Sequence, residues 1–392
     1  MGLENNIPED WIQATLGDVC ENISRRFNFQ DKETVVFVNT GDVSNGKFLH
    51  HNKISKEGLP GQAKKAIKIG DILYSEIRPK NKRFAIVDFD SQDYVVSTKF
   101  MVLKRNDKID LDFFYLFLKS NKTIKAFQSH AEARSGTFPQ ITFDTISLDE
   151  INLPPLPEQK AIAKVLTAFD DKIELLQAQN KTLETMAQTI FKEWFGKYQI
   201  GDVLPEGWRE YELGDVCNLS AGGDKPKNST SKSEGENIIP IYSNGIKNEG
   251  LYGFTNNASI FEESVTVSAR GTIGYVCLRP IPYVPIVRLV SVIPDKNYLS
   301  AKFLFYFLKN NQILGTGTTQ QQLTIPDFKL TRIIIPTSRL MDDFTKLINT
   351  VYIKIYSCKN QIQSLTKTRD TLLPKLMSGQ VRVNNLKQTI DA

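Results

Sequence analysis

The chain has 392 residues, 41% hydrophobic and 24% charged, a globular balance with apolar mass for two or three cores, which argues against global disorder. The opening MGLENNIPED lacks a basic stretch before an apolar run, Asn6 stands where a myristoylation signal needs Ser or Thr, and no apolar run approaches membrane-span length. A cytoplasmic protein is therefore expected, and its net charge of +5 resides wholly in residues 336–392, where nine basic side chains face four acidic ones.

Along the chain, IPEDWIQATLGDVC (7–20) opens a pattern that recurs as LPEGWREYELGDVC (204–217) at an offset of 197. A tandem repeat governs everything that follows. In the first copy, KAIKIGDILYSEI (65–77), RFAIVDF (83–89) and YVVSTKFMVLK (94–104) are rich in Val, Ile and aromatics and predict strands. Residues 110–121 predict a short helix. LPPLPEQKAIAKVL (153–166) then leads into a long helix, with Pro157 at its first position and Glu158 in its first turn.

Within that helix Leu166, Phe169, Ile173, Leu176, Asn180, Leu183, Ala187, Ile190 and Trp194 fall at alternating steps of three and four, the signature of a coiled-coil seam. The second copy predicts strands over SVTVSA (264–269), GYVCLR (274–279) and VRLVSVIP (287–294), and a short helix over 299–311. Adding 182 to the first seam gives the second: Ile348, Val351, Ile355, Cys358, Ile362, Leu365, Arg369, Leu372 and Leu376. Each long helix runs to roughly 40 residues, about 60 Å. Asn180 reads equally as a register-fixing polar residue and as an edge residue reaching water. Arg369 is expected to pack its stem and release its head to solvent. The offset falls from 197 to 182, so the first domain carries about fifteen extra residues, placed in loops.

The expected fold is α+β: a pseudo-twofold tandem repeat of two mixed domains, at 1–155 and 199–335, each followed by a long helix, at 156–198 and within 336–392. LPPLPEQKAIAKVL, LPEGWREYELGDV (204–216) and TRDTLLPKLMSGQVRV (368–383) resemble, over nearly the whole chain, the specificity subunits of type I restriction–modification complexes. That resemblance implies that each domain is a target-recognition domain reading one half of a split DNA sequence, and that the helices form an antiparallel coiled-coil spacer. It further implies docking of two modification subunits that carry S-adenosylmethionine and methylate adenine. Restriction subunits using ATP and Mg would join them, and this chain itself would have no catalytic residues or cofactor.

Candidate DNA-contacting residues follow from side-chain type and loop position. Arg suits guanine edges, Gln suits adenine edges, and Lys mostly meets phosphate. The first domain offers Arg78, Lys80, Lys82 and Arg83 in RPKNKR, with Arg25 and Lys65. The second offers Lys225, Lys227, Asn244, Lys247, Arg270 and Thr272, and the polar loop holding Gln320 and Gln321. Enzyme signatures are lacking: no GxGxxG, no phosphate-binding lysine loop, no zinc spacing among His50, His51 and His130. Glu158-Gln159-Lys160 has a nuclease-like spacing but starts a helix. Cys20, Cys217, Cys277 and Cys358 form no CxxC pair and are expected as free thiols. The rival expectation is a coiled-coil protein scaffold that reads no DNA.

Overall fold

The computed structural model describes residues 7–313 and 322–383. Contacts divide the chain into two units: residues 1–175 with 361–392, and Leu176–Asn360. Each unit therefore owns one half of each long helix.

The first unit opens with strand Ile12–Thr15, which pairs antiparallel with Glu150–Leu153 and so returns the chain to its start just before the long helix. Two four-stranded sheets lie between. One is antiparallel throughout, in the order Cys20–Asn22, Phe100–Arg105, Ile72–Ser75, Phe84–Ile86. The other runs Lys53–Ser55, Thr34–Val38, Tyr94–Ser97, Ala63–Ala66, with Tyr94–Ser97 parallel to Thr34–Val38. The second unit repeats the plan. Arg209–Glu212 pairs with Arg332–Ile335, and Cys217–Ala221, Val290–Pro294, Ser264–Val267 and Val276–Arg279 form the antiparallel sheet. Its mixed sheet contains Ser229–Thr230, Leu251–Thr255, Ile239–Tyr242 and Val284–Pro285, the last two parallel.

The predicted runs 65–77 and 94–104 are not single strands. Each breaks at a corner and supplies one strand to each sheet. The first turns where Gly70 takes φ +88° and Asp71 accepts from the Lys68 amide at 2.7 Å. The second turns where the Ser97 hydroxyl accepts from the Lys99 amide at 3.2 Å. The short helices occur at Leu111–Lys119 and Ala301–Asn310, and a further helix, Asn121–Arg134, starts on the cap of Ser120. Its polar, weakly patterned sequence gave no helical signal.

The long helices are Leu156–Phe195 and Ser338–Met377. Within the first unit Glu158 meets Arg382 and Asp170 meets Arg369; within the second, Gln179 meets Cys358 and Phe191 meets Phe344. Rising numbers on one helix thus pair with falling numbers on the other, and in each unit the helices run antiparallel. Every seam position is buried or half-buried. Asn180 is among the buried ones, which excludes the solvent-reaching reading, and its side-chain oxygen has no hydrogen-bond partner among the described residues.

Arg369 corrects its expectation. Its head does not escape to water: it donates to Asp170 on the facing helix at 2.6 Å and to its neighbour Asp370 at 2.7 Å. Asp170 also receives Lys119 at 2.6 Å. Burial alone would raise the Asp170 pKa, but the hydrogen bonds and charges of Lys119 and Arg369 outweigh it and hold the carboxyl below its ordinary value.

The cores are shared between sheets and helices. In the first unit Trp11, Leu16, Phe113 and Phe127 pack with Ile162, Leu166, Leu376 and Val383. In the second, Phe303 and Tyr306 pack with Phe191, Phe195, Phe344 and Ile348.

Two outcomes are expected. Phe344, fully buried among Phe191, Phe195 and Phe303, should cost about 3–5 kcal/mol on replacement by Ala, read as a lowered denaturant midpoint. Because the folded-state pKa of Asp170 is depressed, its stabilisation is present above the ordinary value of 3.8 and lost as pH falls through and below it. The wild type should therefore outlast Asp170→Asn in thermal melts at neutral pH, and the gap should close on acidification.

Candidate nucleic-acid interface

In each unit the loop leaving the central strand of the antiparallel sheet is tied to neighbouring loops by hydrogen bonds, forming a corner. In the first unit the strand Ile72–Ser75 runs out into residues 76–83. The Glu76 amide donates to the Lys99 carbonyl at 3.0 Å, and the Glu76 carbonyl accepts from Ile141 at 2.9 Å. Arg78 donates its amide to Pro139 at 3.0 Å, and buried Gln128 accepts the Lys80 amide at 3.0 Å. Arg83 is half-buried and reaches the Thr40 hydroxyl at 3.3 Å.

The loop backbone is thus clamped while Arg78, Lys80 and Lys82 extend into solvent. Arg78 and Lys82 also sit at φ +46° and +54°, left-handed geometry that costs a non-glycine residue about 1–3 kcal/mol. Strain of this kind persists only where surrounding contacts over-determine it.

Arg25 and Lys65 line a neighbouring groove of about 740 Å³ with Arg26, Lys56 and Lys64. They differ from the free cations beside them. Arg25 makes a two-pronged pair with buried Asp71 at 2.5 and 2.9 Å, a bond that raises its own pKa. Lys65 is half-buried and donates to the Phe100 carbonyl at 2.7 Å, and burial pulls its ammonium pKa down. Both brace the groove; Arg26, Lys56 and Lys64 are its exposed hands.

The second unit builds the same corner from different side chains. Leu323 donates its amide to the Ala269 carbonyl at 3.0 Å, as Ile141, which it matches at the offset of 182, does to Glu76 in the first unit. Asn244 is the hub: its side-chain oxygen accepts from the Ala269 amide at 2.8 Å and its nitrogen donates to the Val287 carbonyl at 2.6 Å. Gly222 and Gly223 accept from the amides of Arg288 and Val287, both at 2.9 Å. Arg270 is exposed and donates to Gln322 at 3.1 Å. Thr272 is half-buried, its hydroxyl without a partner among the described residues.

Lys225, Lys227 and Lys247 are exposed, with Lys225 lying 5.2 Å above the Tyr252 ring. Gln320 and Gln321 lie outside the described residues. The sequence reading missed Val287 and Arg288, which it placed in a strand. The strand begins only at Val290, because both residues are left-handed, at φ +53° and +59°.

The enzyme-like fragments have structural partners. Glu158 accepts from the Trp11 indole at 3.1 Å and from Arg382 at 2.5 and 2.6 Å, and Gln159 is buried with three hydrogen bonds to backbone. His130 pairs with Asp149 at 2.9 Å and His51 with the Tyr94 hydroxyl at 2.7 Å. The four cysteines are buried free thiols; burial pushes Cys20 and Cys217 up to about 12, where they stay protonated. No helix among the described residues is long and apolar enough to cross a membrane.

Each unit thus carries a corner of clamped loops with exposed basic side chains, Arg78, Lys80 and Lys82 in one and Lys225, Lys247 and Arg270 in the other. The type I restriction modification DNA specificity domain matches residues 8–185 and again 205–355. The chain is 34% identical to the type I restriction enzyme HindI specificity subunit of Haemophilus influenzae, covering 95% of this chain and all of that protein. It is 24% identical to the MjaIX specificity subunit of Methanocaldococcus jannaschii over 97% of this chain and 95% of the relative. Among solved structures, a type I restriction–modification S subunit from M. genitalium shares the fold with a TM-score of 0.62 at 18% identity, over 96% of this chain and 98% of the other. A chain from a type I complex-assembly structure does so with a TM-score of 0.51 at 21% identity, over 96% and 100%. The chain belongs to the family of type I restriction–modification specificity subunits.

Replacing Asn244 by Ala removes a side chain that joins its own loop to Ala269 and Val287. Such a loss costs about 1–3 kcal/mol of local order. Amide hydrogen exchange at Ala269 and across 286–289 should accelerate, with the sheet strands unchanged.

Proposed function

We propose that this chain is the non-catalytic DNA-reading subunit of a type I restriction–modification complex, with each unit's loop corner placed on one half of a bipartite target. The observation that supports this most is the corner itself. The backbone tie at the strand end recurs in both units, as Ile141 to Glu76 and Leu323 to Ala269, while the exposed side chains differ: Arg78, Lys80 and Lys82 in one, Lys225, Lys247 and Arg270 in the other. One scaffold carrying two unlike readers implies an asymmetric target. The long helices act as a spacer, so the bases between the half-sites go unread while their number matters.

On this reading two modification subunits dock on the helices and bring S-adenosylmethionine for adenine methylation. Restriction subunits add ATP- and Mg-dependent cleavage, in the cytoplasm. The chain supplies neither cofactor nor reacting group.

Methylome sequencing of cells expressing this chain with its modification subunit should reveal one bipartite, non-palindromic adenine motif that disappears on deleting this gene. Absence of such a motif would favour a protein scaffold. Inserting four residues after Gln179 should change or abolish the permitted gap while leaving each half-site's sequence intact; an unaltered gap would end the spacer assignment.

A further inference from the structure

The turn Ile286–Leu289 in the second unit stands out from the loops around it. Val287 and Arg288 are consecutive, neither is glycine, and both are left-handed, at φ +53° and +59°. For a β-branched valine this conformation is a genuine outlier. Val287 donates to Gly223 and Arg288 to Gly222, both at 2.9 Å, Asn244 donates to the Val287 carbonyl at 2.6 Å, and the turn closes on itself with Leu289 to Ile286 at 3.1 Å. Gly222 is required for this closure, since a Cβ there would lie 2.6 Å from the Pro285 carbonyl carbon.

What the turn presents is unusual too. Val287 is 53% exposed, an apolar side chain at a strained tip facing water. Beside it, Arg288 is exposed and its guanidinium has no ion pair or hydrogen bond among the described residues. The other arginines of this sheet region are committed. Arg279 is buried against the Tyr242 ring at 3.6 Å and donates to Thr266 and Glu249, and Arg270 donates to Gln322.

An arginine meant only to meet phosphate needs no fixed backbone, because its stem supplies the reach. A side chain that must lie in the plane of a base edge does need one. We infer that Arg288 is a specificity-determining residue, making a two-pronged contact to a guanine edge in the half-site read by the second unit, with Val287 packed against the neighbouring base. This rests on the DNA-reading role proposed above.

The test uses the full chain assembled with its modification subunits, and methylome sequencing gives the motif. Arg288→Ala and Arg288→Lys should each relax one guanine position in one half-site, with discrimination there falling about ten- to a hundredfold and the other half unchanged. Arg288→Asn, which suits left-handed backbone, should do the same, and it guards against a mere folding defect. Val287→Gly should retain the guanine but loosen the adjacent position.

Unchanged discrimination in all three Arg288 variants would overturn the inference. So would uniform weakening across sequences with a salt slope smaller by about one, the mark of a phosphate contact. A wild-type complex yielding no bipartite motif would defeat the underlying role instead, and would be seen before any variant is made.

Discussion

A forty-residue helix with an apolar stripe along its length has no stable existence alone in water; the stripe must be covered. That requirement organises this protein. In each unit half of one long helix lies antiparallel on half of the other, and the recognition domain packs onto the same pair. The core is thus a three-way contact of domain, helix and returning helix, as where Phe191, Phe303 of the short helix Ala301–Asn310 and Phe344 meet. Where the first unit's seam admits charge, it does so as a paired set of Asp170 and Asp370 with Lys119 and Arg369. A half-buried Asp170 carboxylate without Lys119 and Arg369 would be costly, so the same node that stabilises the pair also penalises a shifted register.

The loop corners inherit their order from this core. Their backbone geometry is fixed by hydrogen bonds between main-chain groups and by a few inward side chains such as Gln128 and Asn244, which leaves the outward side chains little constrained. The exposed side chains are consequently free to differ, and between the two units they do. Arg25 shows the division of labour within one groove: its neighbour Arg26 faces water, while Arg25 itself is spent on holding Asp71.

Much of this was legible in the sequence because it depends on period and repetition. Trp11 and Trp208, the constant offset of 182 between the seams and the Pro157 lead-in are local signals, and the long helices and their buried faces follow from them. The division of 65–77 and 94–104 between two sheets was not legible, since an apolar run reads alike whether or not it turns a corner. Arg25 read as a free hand because Asp71, its partner, is remote in sequence. Arg369 read as solvated because Asp170 lies on the other helix. The left-handed turn at Val287 and Arg288 has no compositional mark: its cause is Gly222, in a different strand's loop, and the amide of Asn244.

The first unit is discontinuous in the chain. Trp11, Ile162 and Leu166 bury themselves against Leu376 and Val383, and Arg382 neutralises Glu158 and Asp10. The second unit is continuous from Leu176 to Asn360. Synthesis runs from the N-terminus, and domains fold as their residues become available. The core of the first unit can therefore close only once residues as far as Leu376 and Val383 have been made, while the second unit can close earlier. Order of translation and order of completion are reversed, and an unfinished chain would carry one closed reader and one open one.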